Sequence, residues 1–354
     1  MDFKKLKDAI HIADTVLNSN QGIDHNVVME AMFGHRFSSE DSFSTSWNSL
    51  VYLQHKDFES LRYPIRHYFK SGENTLCGYL YRVDCAKGLI IYVHGMGGSA
   101  FDWYAIGQNE WLRRGYDVFA IELTASGNSE GNGIKSLSQS AFDVAEAVKY
   151  VQSVPTLSGL PLFLFGHSWG GYGVCGALSL ISGVKAVASL SGFATPLLEM
   201  VAVPAAKVHG LPIIDSKPLE EALYKRAGEN ANLSAIESIR RSSVPVMAVH
   251  GGEDKVVPYQ EASILYHGLG LSSLTPVYIE NREHVNVFFS ENACKTLINA
   301  FEIIKGYKQQ YGKDFYRIPV EIKQQLEASI NKEACSEINQ QLFDEIDLFF
   351  QRHI

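Results

Sequence analysis

Apolar positions along the chain change their spacing several times, and each change marks an element. Near the start, Leu6, Ile10, Ala13 and Leu17 fall on one helical face, and Val27, Val28, Ala31 and Met32 predict a second short helix. Residues 1–59 therefore read as a helical N-terminal extension. Around 63–68 and 76–81, alternating segments flank Ser71-Gly72-Glu73-Asn74, which predicts a β-hairpin. A different rhythm then begins. Continuous apolar runs at 89–93, 118–123, 162–165, 184–190, 244–250 and 276–280 predict buried strands. Helical spacing at 101–114, 141–152, 169–182 and 259–267 falls between them. This alternation predicts an α/β fold, with a mostly parallel central sheet and helices on both faces. Its core comprises residues 60–192 and 244–311.

Two stretches stand outside the alternation. Residues 193–243 contain no clear strand and hold Pro196, Pro204, Pro212 and Pro218, an apolar cluster of Leu197, Leu198, Met200, Val201 and Val203, and a helix-like piece at 220–226. An interruption of this length reads as a cap inserted into the core; an additional packing element is the alternative. Residues 312–354 read as a helical tail. Its last piece, 337–350, aligns Ile338, Leu342, Ile346 and Phe349 on one face, which either packs on the chain's own core or joins two copies as a homodimer.

Composition narrows the functions. The 31 basic and 39 acidic residues leave a net charge of −8, which offers no electrostatic footprint for nucleic acid or an anionic membrane. No stretch approaches the run of about 18 or more apolar residues that spans a bilayer. Near the N-terminus, apolar positions are interrupted by His11, Asp14 and Thr15, which argues against a cleaved secretory signal. The five cysteines are scattered, odd in number and without C-x-x-C spacing. They read as reduced thiols of a cytoplasmic protein, with nothing to suggest structural zinc.

The chemistry concentrates in three places. Gly166-His167-Ser168-Trp169-Gly170 fits G-x-S-x-G, and it follows the predicted strand at 162–165 and opens a predicted helix. A sharp turn at that junction would expose the Ser168 hydroxyl near the positive end of the helix, making Ser168 a candidate nucleophile. A serine needs a base, and the base an orienting carboxylate, in the chain order Ser, Asp or Glu, His for this arrangement. After the strand at 244–250 comes Gly251-Gly252-Glu253-Asp254, where Asp254 is the preferred carboxylate and Glu253 its competitor. Of the later histidines, His267 falls in a helical stretch and His353 in the tail, leaving His284, just past a strand, as the base. His94-Gly95-Met96-Gly97-Gly98 follows the strand at 89–93 and can supply a backbone donor to an oxyanion. The N–H groups of Met96 and Trp169 are the expected pair, with His94, Gly95, Gly97, His167, Leu197 and Met200 as candidate substrate contacts. A phosphate-binding turn is the alternative for this glycine cluster, but the lysine of a P-loop is missing.

With these residues in place, the chain resembles the α/β-hydrolase superfamily, particularly its monoglyceride-lipase-like and serine-aminopeptidase-like branch. The resemblance rests on Val93-His94-Gly95-Met96-Gly97-Gly98, Gly115-Tyr116-Asp117-Val118, residues 160–165 running into the serine motif, His250-Gly251-Gly252-Glu253-Asp254-Lys255-Val256-Val257-Pro258, and His284. It covers residues 88–304. One departure stands out. Where many relatives carry Asp-x-Arg-Gly-His-Gly-x-Ser, this chain has Glu122-Leu123-Thr124-Ala125-Ser126-Gly127-Asn128-Ser129, without the arginine and histidine.

The expected chemistry is acyl transfer from a small-molecule substrate, needing neither metal nor organic cofactor. An ester with an apolar acyl group is favoured by the apolar start of the cap. A thioesterase or acyltransferase would use the same three residues. An aminopeptidase would want an acidic subsite, for which Glu199, Glu220 and Glu221 are candidates. A non-catalytic scaffold predicts erosion of the triad, which is absent here. An aspartate-nucleophile dehalogenase or epoxide hydrolase is disfavoured by Ser168.

Overall fold

A computed structural model describes residues 25–39, 46–207, 216–312, 315 and 318–354. The predicted first helix, through Leu6 to Leu17, lies outside the described residues. Eight strands form one sheet in the order β1-β2-β4-β3-β5-β6-β7-β8. The hairpin is present as β1 (Ile65–Ser71) and β2 (Asn74–Tyr81), closed by Gly72-Glu73, with Gly72 at φ +56°. β3 (Leu89–Val93) to β8 are parallel; β1 and β2 add an antiparallel edge. β4 (Asp117–Ile121) pairs with both β2 and β3, and β5 (Leu162–His167) lies between β3 and β6 (Val184–Leu190). All residues of β3, β4 and β5 are buried, as expected for strands covered on both faces. β7 (Val246–Gly251) and β8 (Leu274–Ile279) complete the sheet.

Each face of the sheet has its own core. One holds the helices Gln139–Ser153 and Trp169–Gly176, together with Met29 and Phe33 of the helix His25–Phe33. Among the described residues, the interval between β6 and β7 is helical: Pro196–Lys207, Ser216–Ala227 and Ala235–Ser242. Its far end is tied to the core where Ser136 and Ser138 donate to the Ala231 carbonyl and Tyr172 donates to that of Leu233. The predicted helix at 259–267 is two short ones, Tyr259–Ala262 and Ile264–His267. Ser263 adopts an extended conformation between them, bridges to Phe193 and caps the second helix by accepting from the Tyr266 N–H. A tertiary pairing has overridden the local helical spacing there.

The opposite face is covered by the helices Ala105–Arg113 and Glu291–Tyr311 and by the C-terminal pieces Val320–Ser329, Lys332–Cys335 and Gln340–Gln351. Among the described residues the tail is helical, as its periodicity predicts. The apolar face of the last helix is occupied within the chain: Phe350 stacks on Phe163 at 4.7 Å and lies 5.6 Å from Trp111. Asp347 accepts from Tyr116 Oη at 2.7 Å and pairs with Lys87 at 3.0 Å. Of the two readings for this helix, packing on its own core accounts for Leu342, Phe343, Ile346 and Phe350. Phe350→Ala is expected to destabilise the fold by about 3–5 kcal/mol, because a fully buried ring is replaced by a cavity. Urea unfolding measures this; a loss under about 1 kcal/mol would show that the tail is not part of the cooperative core. No helix among the described residues is long and apolar enough to cross a membrane.

Candidate active site

The site lies at the C-terminal edge of the parallel strands, where β3, β5, β7 and β8 hand over to loops. β5 runs directly into the helix Trp169–Gly176, with Ser168 as the residue at the turn. Ser168 adopts φ +57°, ψ −120°, a conformation that costs a non-glycine residue on the order of 1–3 kcal/mol. The turn survives because its surroundings fix it. The Ser168 N–H donates to the Leu190 carbonyl at 2.8 Å, and the Ser168 carbonyl accepts from Tyr172. Glycine is required at 170 by close approach: a β-carbon there would sit 2.4 Å from the Val93 carbonyl oxygen.

His284 and Asp254 meet. His284 Nδ1 donates to Asp254 Oδ2 at 2.7 Å, while Asp254 Oδ1 accepts from the Val256 and Val257 amides, both at 2.8 Å. Burial raises the Asp254 carboxyl, but His284, His250 and the Val257 amide outweigh it and hold the group below its usual range. Glu253 is exposed and its backbone N–H bonds the Arg282 carbonyl, so the carboxylate on His284 is that of Asp254. Among the described residues the Ser168 hydroxyl has no hydrogen-bond partner, His284 included; such bonds commonly tighten only with substrate. The two residues are joined instead through backbone. The His284 carbonyl accepts from His167 Nε2 at 2.9 Å and from Ser191 Oγ at 3.0 Å, and the His167 and His284 rings lie 4.8 Å apart.

The glycine loop after β3 lies against the serine. A β-carbon on Gly95 would come 3.0 Å from the Ser168 β-carbon and 2.6 Å from Tyr104 Oη. Gly97 takes φ +74°. Neither the Met96 nor the Trp169 amide meets an acceptor among the described residues. Trp169 itself is buried, its indole N–H held by the Leu137 carbonyl at 2.7 Å.

His94 and His167 are buried and have both ring nitrogens engaged within the protein. His94 Nε2 accepts from the Leu123 N–H, so Nδ1 donates to the Gly95 carbonyl. Burial pushes His94 down to about 4 and His167 down to about 3, keeping both neutral. A neutral His167 that donates from Nε2 must accept at Nδ1, where Tyr104 Oη lies at 2.7 Å. Tyr104 in turn accepts from the Gly95 N–H at 2.8 Å. One chain of hydrogen bonds thus runs from the glycine loop through Tyr104 and His167 to the His284 backbone. Tyr104→Phe removes its middle and is expected to lower turnover about 10-fold or more, read as kcat with KM near its original value. Unchanged kcat in the folded variant would make the chain dispensable.

These histidines also set a pH dependence. A histidine whose pKa falls on folding is protonated first in the unfolded chain, so its contribution is complete above pH 6.5 and is lost as pH falls toward the folded value. His55 and His94, both near 4, and His167, near 3, act this way. Asp102, which burial pushes up to about 7, works in the opposite sense and offsets one of them. Stability is therefore expected to fall by roughly 1–2 kcal/mol per pH unit from pH 6.5 to 4. Denaturation at a series of pH values tests this, and a flat profile would contradict it.

Leu197 and Met200 lie on the helix Pro196–Lys207, with Met200 buried and Leu197 half-buried; the Leu197 N–H donates to Asn232. Tyr104 and Ser191 are marked by neither periodicity nor motif, and His250 stands in a motif of the resemblance without a role assigned to it. His250, whose Nε2 donates to the Val257 carbonyl and lies 3.3 Å from Asp254 Oδ2, had one signal: it precedes Asp254 by four residues across a Gly-Gly turn. Among the described residues no cluster of three or more His, Cys, Asp or Glu side chains is placed to hold a metal ion.

Residues 84–215 match the serine aminopeptidase S33 family. An uncharacterised protein of Salmonella typhimurium, YfhR, is 26% identical over 211 residues, covering 58% of this chain and 68% of that protein. Among solved structures, the esterase Pf2001 of Pyrococcus furiosus has a TM-score of 0.50 at 17% identity, covering 72% of this chain and 91% of that one. The acylaminoacyl peptidase of Pyrococcus horikoshii has a TM-score of 0.49 at 18% identity, and the match spans 63% of this chain and 38% of that longer one. The esterase likeness speaks for the fold, and the family match supports a hydrolase of the serine type. Sheet order and the strand–serine–helix turn give the chain an α/β-hydrolase fold, and over residues 84–215 it is similar to the serine aminopeptidase S33 family.

Proposed function

We propose that the chain hydrolyses a carboxylic ester with an apolar acyl group, using Ser168 as nucleophile, His284 as base and Asp254 as its orienting carboxylate. The observation that carries this is the 2.7 Å Asp254–His284 bond, made beside the strained turn that presents Ser168. Asp254 fixes the tautomer with hydrogen on Nδ1, leaving His284 Nε2 able to take the Ser168 proton. The substrate carbonyl would enter between the Met96 and Trp169 amides, whose N–H groups stabilise charge as it develops on the oxygen. His284 passes the proton to the departing alcohol, and a water activated by the same ring then releases the acid. The preference for an apolar acyl group is supported by Leu197, Leu198, Met200 and Val201 at the start of the insertion.

Amide hydrolysis is the second reading, favoured by the match to a serine aminopeptidase family. The test is labelling with a fluorophosphonate, with the modified residue located by mass spectrometry, followed by a panel of short- and long-chain esters, thioesters and aminoacyl amides. Labelling at Ser168 with faster turnover of esters supports the proposal; faster turnover of aminoacyl amides would transfer it to the second reading. Absence of labelling at Ser168 would sink both.

A further inference from the structure

The residues Arg36-Phe37-Ser38 belong to the N-terminal extension, outside the family match, yet they lie on the loops of the candidate site. Ser38 Oγ donates to the Gly98 carbonyl at 2.7 Å and accepts from the Gly127 N–H at 3.1 Å. It therefore stitches the loop after β3 to the loop after β4. The Phe37 N–H donates to the Ala125 carbonyl at 2.8 Å, and its ring meets that of Trp169 edge-on at 5.6 Å. Arg36 directs its guanidinium at three carbonyls of one loop: Nη1 donates to Ser129 at 3.0 Å and Gly131 at 2.7 Å, and Nη2 donates to Gly127 at 2.8 Å. A rigid planar fork is suited to gathering several acceptors into one geometry. This is the loop, Glu122 to Ser129, that lacks an arginine of its own. The segment is itself anchored. Phe33 is fully buried, its carbonyl accepts from the Ile134 N–H, and Glu30 pairs with Arg226 of the helix Ser216–Ala227 at 2.8 Å.

We propose that Arg36, Phe37 and Ser38 are positioning residues of the oxyanion site, supplied by the N-terminal extension. Ser38 holds Gly98, two residues from the Met96 amide, and Phe37 covers the indole of Trp169, the second amide donor. Arg36 holds the neighbouring loop on which both of its companions rest. None of the three touches the reacting atoms; each acts through the backbone it fixes. Donors that must meet a developing charge within a fraction of an ångström lose efficiency when their loop moves, even if substrate still binds. The proposal rests on the acyl-transfer reading of Ser168.

The test compares wild type with Ser38→Ala, Ser38→Thr and Arg36→Met, using p-nitrophenyl butyrate for kcat and KM, fluorophosphonate for Ser168 labelling, and amide hydrogen exchange. Ser38→Ala and Arg36→Met are expected to lower kcat about 10- to 100-fold with KM within roughly 2-fold, and to speed exchange in residues 94–98 and 124–131. Ser38→Thr, which keeps the hydroxyl, is expected to restore most of the loss. Folded variants with wild-type kcat and unchanged loop exchange would overturn the proposal, as would Ser38→Thr being no better than Ser38→Ala. Failure of the acyl-transfer reading looks different: the wild-type protein itself takes no label at Ser168, while the exchange measurement still reports on whether the segment holds the loops.

Discussion

Ser168→Ala is expected to lower ester turnover by about 10⁴- to 10⁶-fold and to leave the protein folded. The size follows from what the hydroxyl does in the proposed scheme. Without it no acyl-enzyme forms, and only the oxyanion donors and substrate binding remain to accelerate direct attack by water. The retention of fold follows from the structure. The strain at φ +57° belongs to the backbone and is the same for serine and alanine, since both carry a β-carbon. The contacts that hold the turn are the Ser168 N–H to Leu190 and the Ser168 carbonyl to Tyr172, both backbone on the Ser168 side. The hydroxyl has no partner among the described residues to lose. Circular dichroism and a thermal melt close to wild type, with turnover and fluorophosphonate labelling abolished, are the expected results. A variant that hydrolyses esters at the original rate would remove Ser168 from the mechanism.

The second large effect is expected from Asp254→Asn, a loss of about 10⁴-fold in kcat. An asparagine can keep its oxygen on the Val256 and Val257 amides, which now hold Asp254 Oδ1 at 2.8 Å. Its NH₂ group then faces His284 Nδ1, where a carboxylate oxygen had accepted a hydrogen bond at 2.7 Å. Two donors cannot share that contact, so the ring must give up the hydrogen on Nδ1 and carry it on Nε2. A ring protonated on Nε2 has nothing with which to accept the Ser168 proton. The variant also loses the negative charge that stabilises imidazolium as it forms. Glu253→Gln is the matched control, because Glu253 is exposed and not on His284; its kcat should stay near wild type. If Glu253→Gln proved the more damaging of the two, the carboxylate assignment would be reversed.

Legibility in the sequence followed the range over which each feature is encoded. The six parallel strands appear as predicted, with no end moved by more than two residues: the run at 118–123 is Asp117–Ile121, and that at 276–280 is Leu274–Ile279. The helix expected at 169–182 ends at Gly176, followed by a tight turn at Ala177–Ser179. Glycine-rich helical spacing marks where a helix packs closely better than where it stops. The order Ser168, Asp254, His284 was readable because each residue follows a strand that ends on the same edge of a parallel sheet.

Spacing alone could not assign His94 and His167. Both sit in glycine-rich motifs where a substrate contact is expected; the structure ties the His94 ring to the Gly95 carbonyl and the Leu123 N–H, and the His167 ring to Tyr104 Oη and the His284 carbonyl. A histidine at a given position reads the same whether its ring faces a cleft or a buried carbonyl. The direction depends on which loops the crossovers bring beside it.

By itself, then, the sequence determined the parallel sheet, the sharp turn at Ser168 and the places of Asp254 and His284 just past later strands, since burial of each strand and the close passage of glycines leave local marks. Tertiary structure decided the rest: that Asp254 and not Glu253 meets His284, that the last helix turns its apolar face to Phe163 and Trp111, and that Arg36 and Ser38 reach loops some ninety and sixty residues away in the chain. The contacts of Arg36 and Ser38 leave no trace in the sequence around their partners, because hydrogen bonds to backbone carbonyls place no demand on the identity of the residue that carries the carbonyl.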